Sequence, residues 1–320
     1  MRYYTIVISH PVTGVVKRIY TSLSPQGITH LGSLNIELDL PVFPYAQPIG
    51  GGFVRVWGVS LQTVGQATDL NGMAIKVFGG MQKGLPLANP KQSGLLAQGF
   101  ILQAFGNWQD TVQTLDMVIA AGTGTVDVPA NLVLNWAKGQ QLSQAIYNTL
   151  KTAYPTYTVN VAINSRLVLD HDEQGFYQTI TQLASRIREV SQAIIGGEYR
   201  GVEIVLREKA FFVYDGTSPT KPKQLAFTDL IGQPGWINPG QIQVKAVMRA
   251  DVVLGDYVRL PKGQIVTTAQ SLSQYKQGSV FQGTFQIDSV RHVGNFRQPD
   301  ANSWVSVFDM HQVAEPANNG

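Results

Sequence analysis

The sequence contains no cysteine, and only 14% of its 320 residues are charged. The missing thiols exclude a disulfide scaffold, thiol catalysis and Cys-ligated zinc. They fit assembly in a reducing cytoplasm or later exposure outside a cell. Long apolar runs are also missing: nothing approaches the roughly 18 consecutive apolar residues of a membrane helix. The N-terminal MRYYTIVISH alternates like a strand and no basic region precedes an apolar run, so no signal peptide is expected. A net charge of +3 is too small to argue for nucleic-acid or membrane-surface binding. There is no G-x-S-x-G, H-E-x-x-H or Walker loop, and no G-x-G-x-x-G ahead of a helix. What remains is an ordinary globular composition, 44% apolar, on a chain long enough for two or three domains. Low charge with abundant Gln, Asn, Ser and Thr points to polar surfaces that are covered rather than freely solvated.

The most informative positive feature is a repeat. GFILQAFGNW (residues 99–108) has a counterpart in GTFQIDSVRHVGNF (residues 283–296), each an alternating strand ending in Gly-Asn-aromatic. Upstream, LNGMAIKVFGG (70–80) parallels LGDYVRLPKG (254–263). Downstream, one more apolar strand follows in each copy: LDMVIAAG (115–122) and WVSVFDM (304–310). Loops 81–93 and 264–278 occupy matching places, and such loops suggest interaction elements that order on assembly.

Period-2 alternation dominates the first third. Ile36, Leu38 and Leu40 alternate with Glu37 and Asp39, and Pro41 and Pro44 are expected to end that strand. Phe53, Arg55 and Trp57 alternate with Val54 and Val56, behind a triple glycine at 50–52 that reads as a turn or bulge. The middle changes period. Leu142, Ile146, Leu150 and Ala153 predict a helix stopped by Pro155. A strand over 157–163 follows. Phe176, Ile180, Leu183, Ile187, Val190 and Ile194 then trace one helical stripe, with Gly196 at its C-cap. Strands at 202–206 and 210–214 complete an α+β unit. A Pro/Lys/Ser-rich linker lies over 215–224.

No catalytic constellation emerges. His171, in Asp170-His171-Asp172-Glu173, has carboxylates on both sides, as a metal ligand or acid–base group needs. Extended neighbours diverge, however, and no second histidine is close. The acidic run is better read as favouring the N-terminus of the helix behind it. His292, near a strand end, reads as a structural hydrogen-bonder. Glu37 and Asp39 read as a solvated or subunit-facing rim. The five tryptophans, Trp57, Trp108, Trp136, Trp236 and Trp304, sit mostly in apolar strands, which favours core or interface packing over base stacking. No catalytic, cofactor-binding or metal-binding residue is assigned.

Several segments carry a family resemblance. They are VRVWGVSLQ (54–62) with AIKVFGGMQKGLPL (74–87), GLLAQGFILQAFGNWQDTVQTLDMVIAAG (94–122), LSQAIYNTLKTAYP (142–155), LAFTDLIGQPGW (225–236), VMRADVVLGDYVRLP (247–261) and FQIDSVRHVGNFRQPDANSWVSVFDM (285–310). In the last, a strand ends in a His-x-Gly turn before a Trp-led strand. Together they resemble the baseplate hub proteins of contractile-tailed phages, related to the base of type VI secretion spikes. The resemblance implies a mainly β fold with an α+β insert, in which two tail-tube-like antiparallel β-barrels flank a small α/β domain. The expected division is a first barrel over 1–125, the insert over 126–215, a second barrel over 216–313 and a flexible tail over 314–320. The implied role is structural and non-enzymatic: a homotrimer adapting a six-fold tail tube to a three-fold spike, around a channel that passes DNA without binding it specifically. Implied partners are itself, the tail tube protein, a central spike on a separate chain, and wedge or tape-measure proteins. No cofactor and no membrane anchoring are implied. The implied location is the virion tail baseplate, after assembly in the host cytoplasm. The alternatives are a β-rich receptor- or carbohydrate-binding tail protein and, behind it, a peptidoglycan hydrolase.

Overall fold

Alternating strands with one apolar face must bury that face, and here most do so in a single sheet. The computed structural model describes residues 1–47, 51–82, 92–109, 111–121, 131–217, 221–261, 281 and 283–313. The first region holds β1 (Arg2–Ser9), β2 (Val16–Thr21), β3 (Ile36–Val42), β4 (Gly51–Trp57), a short helix α1 (Leu61–Gly65), β5 (Ala74–Met81), β6 (Gly94–Gln109) and β7 (Val112–Ala121). The middle holds β8 (Leu132–Trp136), α2 (Leu142–Ala153), β9 (Thr158–Ala162), β10 (Glu173–Tyr177), α3 (Ile180–Ile195), β11 (Glu203–Arg207) and β12 (Ala210–Tyr214). The last region holds β13 (Lys223–Gln224), β14 (Gly235–Asn238), β15 (Gln241–Val247), β16 (Tyr257–Arg259), β17 (Thr284–Asn295) and β18 (Trp304–Val313).

Thirteen strands form one sheet, ordered β14-β15-β18-β17-β3-β4-β7-β6-β5-β1-β2, with β16 beside β17 and β13 beside β16. The duplication is written into that order. β3-β4-β7-β6-β5 is matched by β14-β15-β18-β17-β16. The backbone repeats in detail. Ile101 donates to Met73 O at 2.9 Å and accepts from Gly72 at 2.8 Å; Ile287 donates to Asp256 O and accepts from Gly255, both at 2.9 Å. Gly72 and Gly255 share a positive φ of 74° and 75°. A bulge follows each isoleucine, at Leu102 in one copy and at Asp288 in the other. These bulges make Gly294 the counterpart of Trp108. The Gly-Asn-aromatic match in the sequence is therefore two residues out of step, a slip that a period of two cannot reveal.

The mainly β expectation is met in part: among the described residues the strands form one large antiparallel sheet that is not closed, ending at β2 and β14. The two copies are joined within it. The first part of β17 pairs with β16, and its remainder pairs with β3, from Val290↔Val42 to Asn295↔Glu37. Pro41 lies inside β3 and does not end it. The β3–β4 pairing stops at Asp39↔Phe53, so the ladder position that the Pro41 nitrogen leaves empty faces no strand. Gly51 and Gly52 begin β4 rather than forming a turn; Gly50 lies outside the described residues, as do most of loop 81–93, all of loop 264–278, and residues 314–320.

Three cores result. The first gathers Tyr4, Ile6, Leu38, Leu40, Val54, Ile75, Ile101 and Met117, together with Met248 and Trp304 from the second copy. The third gathers Val244, Val258, Phe285, Ile287, Phe308 and Met310. Between them α2 and α3 pack on small sheets, β8–β10 and β11–β12–β9, around Trp136, Ile146, Leu150, Leu183 and Ile187. Phe176 does not belong to the α3 stripe: it lies on β10, exposed, opposite Val133. Thr179 caps α3 by accepting from Gln182 N. The acidic run precedes β10 and not the helix. Asp172 accepts from Lys138 N, and Glu173 pairs with Arg186 across to α3.

Trp304 ties the copies together. It is buried, donates to Gly80 O at 3.0 Å and meets the edge of Phe296. A Cβ on Gly294 would approach its ring within 2.7 Å, so only glycine lets these strands close. Trp304→Ala is expected to cost about 3–5 kcal/mol in urea unfolding. Trp304→Phe, which forfeits mainly the hydrogen bond, is expected to cost about 1 kcal/mol. Equal and small losses in both variants would show that Trp304 does not join the copies.

Candidate functional site

The face of the sheet opposite the apolar cores carries a row of charged and amide side chains that crosses both copies. Alternation puts it there. With Ile36, Leu38 and Leu40 inward, Glu37 and Asp39 must point to the other side. The same rule places Arg55 between Val54 and Val56, and Asp116 between Leu115 and Met117. Register then lines them up: Glu37 is opposite Arg55, and Arg55 is opposite Asp116.

Arg55 meets Asp116 two-fold, Nε to Oδ1 at 2.6 Å and Nη2 to Oδ2 at 2.9 Å. Glu37 Oε2 stands 3.8 Å from Arg55 Nη1. The guanidinium lies 5.1 Å from the Phe53 ring centroid and 5.3 Å from that of Trp57. Hydrogen bonding to Asp116, against some loss of solvation, raises the Arg55 pKa above its ordinary value. Asp116 is 1% exposed, so loss of Arg55 would leave a buried carboxylate without its ion-pair partner. Across the junction, Arg291 clasps Asp39, Nε to Oδ1 at 2.7 Å and Nη2 to Oδ2 at 2.5 Å. Asn295 donates to Glu37 Oε1 at 3.0 Å. Further along, Gln243 and Ser289 both donate to Asp309, at 2.9 and 2.7 Å, beside exposed Lys245. Arg55, Arg291 and Lys245 thus stand among Glu37, Asp39, Asp116 and Asp309. The face is polar without being positive. Glu37 and Asp39, a rim in the sequence, are the middle of this row. The sequence gives Arg55 its face but not its partners; for Arg291, which meets Asp39, and Asp116, which meets Arg55, the available signal is a charge at an outward strand position.

The other candidates lie apart. His171 bonds Asp170 at 2.7 Å on an exposed turn. His311 bonds Asp288 at 2.7 Å. Among the described residues, no three His, Asp or Glu side chains come together as a metal site, and no helix is long and apolar enough to cross a membrane. Trp57 and Trp108 project from opposite faces, since Trp57 and Asn107 both oppose Thr114. They form no shared platform.

His292 is buried on the apolar side, with Nδ1 2.8 Å from Ser306 Oγ. Ser306 Oγ accepts from Arg249 N at 3.0 Å and donates to Arg249 O. Arg249 itself is held by Asp251 and Asp229, at 2.7 and 2.9 Å. Burial pushes the His292 pKa from 6.5 down to about 4.

Arg55→Met should cost about 3 kcal/mol by stranding the buried Asp116 carboxylate, and adding Asp116→Leu should recover most of it. Urea unfolding of the two variants checks this; a double variant no more stable than the single would refute it. For His292, the unfolded chain binds the proton more readily than the folded one. Its contribution is whole above the unfolded pKa of 6.5 and is lost as pH falls from there to about 4. The loss is roughly 3 kcal/mol, and His292→Gln should flatten that part of the stability–pH curve. Identical slopes in the two proteins would sink the claim.

Comparison with solved structures places the fold. The chain superposes on the 43 kDa tail protein of prophage MuSo2 from Shewanella oneidensis with a TM-score of 0.54 and 10% identity, covering 98% of this chain and 97% of that one. A tail protein from Neisseria meningitidis MC58 gives a TM-score of 0.51 at 8% identity, over 97% and 96% of the two chains. An E. coli component of the type VI secretion system, described as structurally similar to T4 bacteriophage tail proteins gp27 and gp5, gives 0.50 at 9% identity, over 88% and 74%. No family model and no curated protein matches the chain. The fold is the one these phage tail and type VI secretion proteins share, and the resemblance read from the sequence holds at that level.

Proposed function

We propose that this chain is a structural, non-enzymatic hub of a phage tail baseplate, acting as a homotrimer that adapts a six-fold tail tube to a three-fold spike. The observation that carries the reading is the duplication: one chain presents the order β3-β4-β7-β6-β5 twice, joined edge to edge. Three such chains in a ring present six similar units, which matches six-fold on one side and three-fold on the other. Residues 1–125 and 216–313 serve as the two tube-like barrel units, with 126–215 as the insert between them. Tail tube protein and a central spike are the partners on the two faces, with wedge or tape-measure proteins as further neighbours.

The polar row lines the channel in this reading. Its arginines, Arg55 and Arg291, are paired with carboxylates, so passing DNA meets no row of free guanidinium groups. A wall of free Lys and Arg would hold phosphates by counterion release. The protein belongs to the virion tail and assembles in the host cytoplasm. The carbohydrate-binding alternative needs aromatics gathered on one concave face, and the opposed directions of Trp57 and Trp108 do not favour it.

Light scattering of the chain alone and with tube and spike proteins tests the proposal. The expected species has three times the 34.9 kDa chain mass. A chain that stays monomeric in all mixtures would overturn it.

A further inference from the structure

The hairpin β11–β12 seats the insert on the second copy. Val205, Phe212 and Tyr214 pack into the third core. The Tyr214 ring lies against Gly255, where a Cβ would come within 2.6 Å of it. At the turn end of the hairpin, Arg207 grips Leu254 O and stands 3.8 Å from Asp256. At the open end, Glu203 stands opposite Tyr214 in the ladder. Glu203 therefore sits directly behind the residue that meets the second copy.

Glu203 is poorly matched as a charge. Only 12% of its side chain is exposed, yet Oε2 is buried without a hydrogen-bond partner. Its other oxygen, Oε1, lies 3.1 Å from Arg188 Nη1 of α3. Asp116, the other buried carboxylate, has both oxygens met by Arg55. Asp288 of β17 brings a second negative charge toward Glu203, while Arg200 and the Gln47 amide favour the ionised form. Asp288 is itself held by Arg200 Nη1 at 3.0 Å, Gln241 Nε2 at 3.2 Å and His311 Nδ1 at 2.7 Å. A buried oxygen with no donor is costly when it carries charge and much less so when neutral. Arg188 is 32% exposed, so water can solvate it when Glu203 is neutral, and protonation strands no buried cation. Burial accordingly pushes the Glu203 pKa from 4.5 up to about 7; the Arg188 charge opposes that rise and the Asp288 charge adds to it.

We propose that Glu203 is a proton-operated latch for the insert: neutral, it lets the β11–β12 hairpin seat on the second copy, and ionised, it loosens that seat. The sign follows from linkage. Opening the seam returns Glu203 to water, where it gives up its proton more readily than in the closed seam. The hold is complete below pH 4.5 and is lost as pH rises from there to about 7. His292 acts in the opposite direction, losing its contribution as pH falls. It lies away from this seam, where β17 pairs with β3, opposite Leu40. Global unfolding adds the two effects together, whereas local opening of the hairpin separates them. All the groups involved belong to one chain, so the latch is independent of the ring reading above.

Amide hydrogen exchange of the full chain tests this, read by mass spectrometry and corrected for the intrinsic pH dependence of exchange. Between about pH 6 and about pH 8, peptides covering 203–214 should lose protection about ten-fold, while those covering β4 and β7 keep theirs. Glu203→Gln, with circular dichroism to confirm folding, should remove that difference. Arg188→Gln provides a second test that holds even if the first variant does not fold. Without the opposing cation, the midpoint of the loss should move to higher pH. Protection over 203–214 that is the same at both pH values in the unaltered chain would overturn the latch. So would a ten-fold loss that persists in folded Glu203→Gln, or a midpoint that Arg188→Gln leaves in place or lowers.

Discussion

The backbone ladder between β3 and β17 is the constraint on which the rest of the molecule depends. Six residue pairs join strands some 250 positions apart in the chain. Each hydrogen bond contributes only about 1 kcal/mol net. The ladder holds because side chains lock it on both faces. Inward, Leu38 and Trp304 close over Gly294. Outward, Arg291 clasps Asp39 and Asn295 reaches Glu37. With both faces fixed, the two copies form one continuous sheet rather than two bodies on a linker.

That continuity decides what the polar face is. Charges on separate barrels would be scattered surface pairs worth little each. On one sheet they fall into a row in which most charges have a neighbour of opposite sign one strand away. Asp116 shows the consequence. A carboxylate at 1% exposure is tolerable only because Arg55 meets it with two hydrogen bonds and is itself flanked by two aromatic rings. The row is then a surface whose arginines are paired with carboxylates on neighbouring strands.

The insert answers to different constraints. Its helices bury their stripes on two small sheets, and it is tied to the second copy by Val205, Phe212 and Tyr214 in the apolar core and by polar contacts. Arg200 meets Asp288, the bulge residue of β17, at 3.0 Å, and Arg207 reaches Leu254 O and stacks 4.4 Å from the centroid of Phe212. In the first copy the equivalent bulge residue is exposed Leu102, so the duplicated strands present different chemistry at the same place.

Period-2 alternation by itself determined the strands, the faces of Glu37, Asp39 and Arg55, and the existence of a duplication. It did so because burying one face of a pleated strand demands it. The α2 stripe and the Gly196 cap were legible for the same local reason. Phe176 was misread because one apolar residue ahead of a helix fits both periods, and only pairing with Val133 separates them. Pro41 was misread because a missing donor matters only where a neighbouring strand expects it. The two-residue slip in the repeat, the open sheet, and the identities of the partners of Asp39 and Asp116 were decided by tertiary structure alone. Each depends on which strands lie side by side, and a chain's local pattern carries no record of a neighbour 60 or 250 residues away.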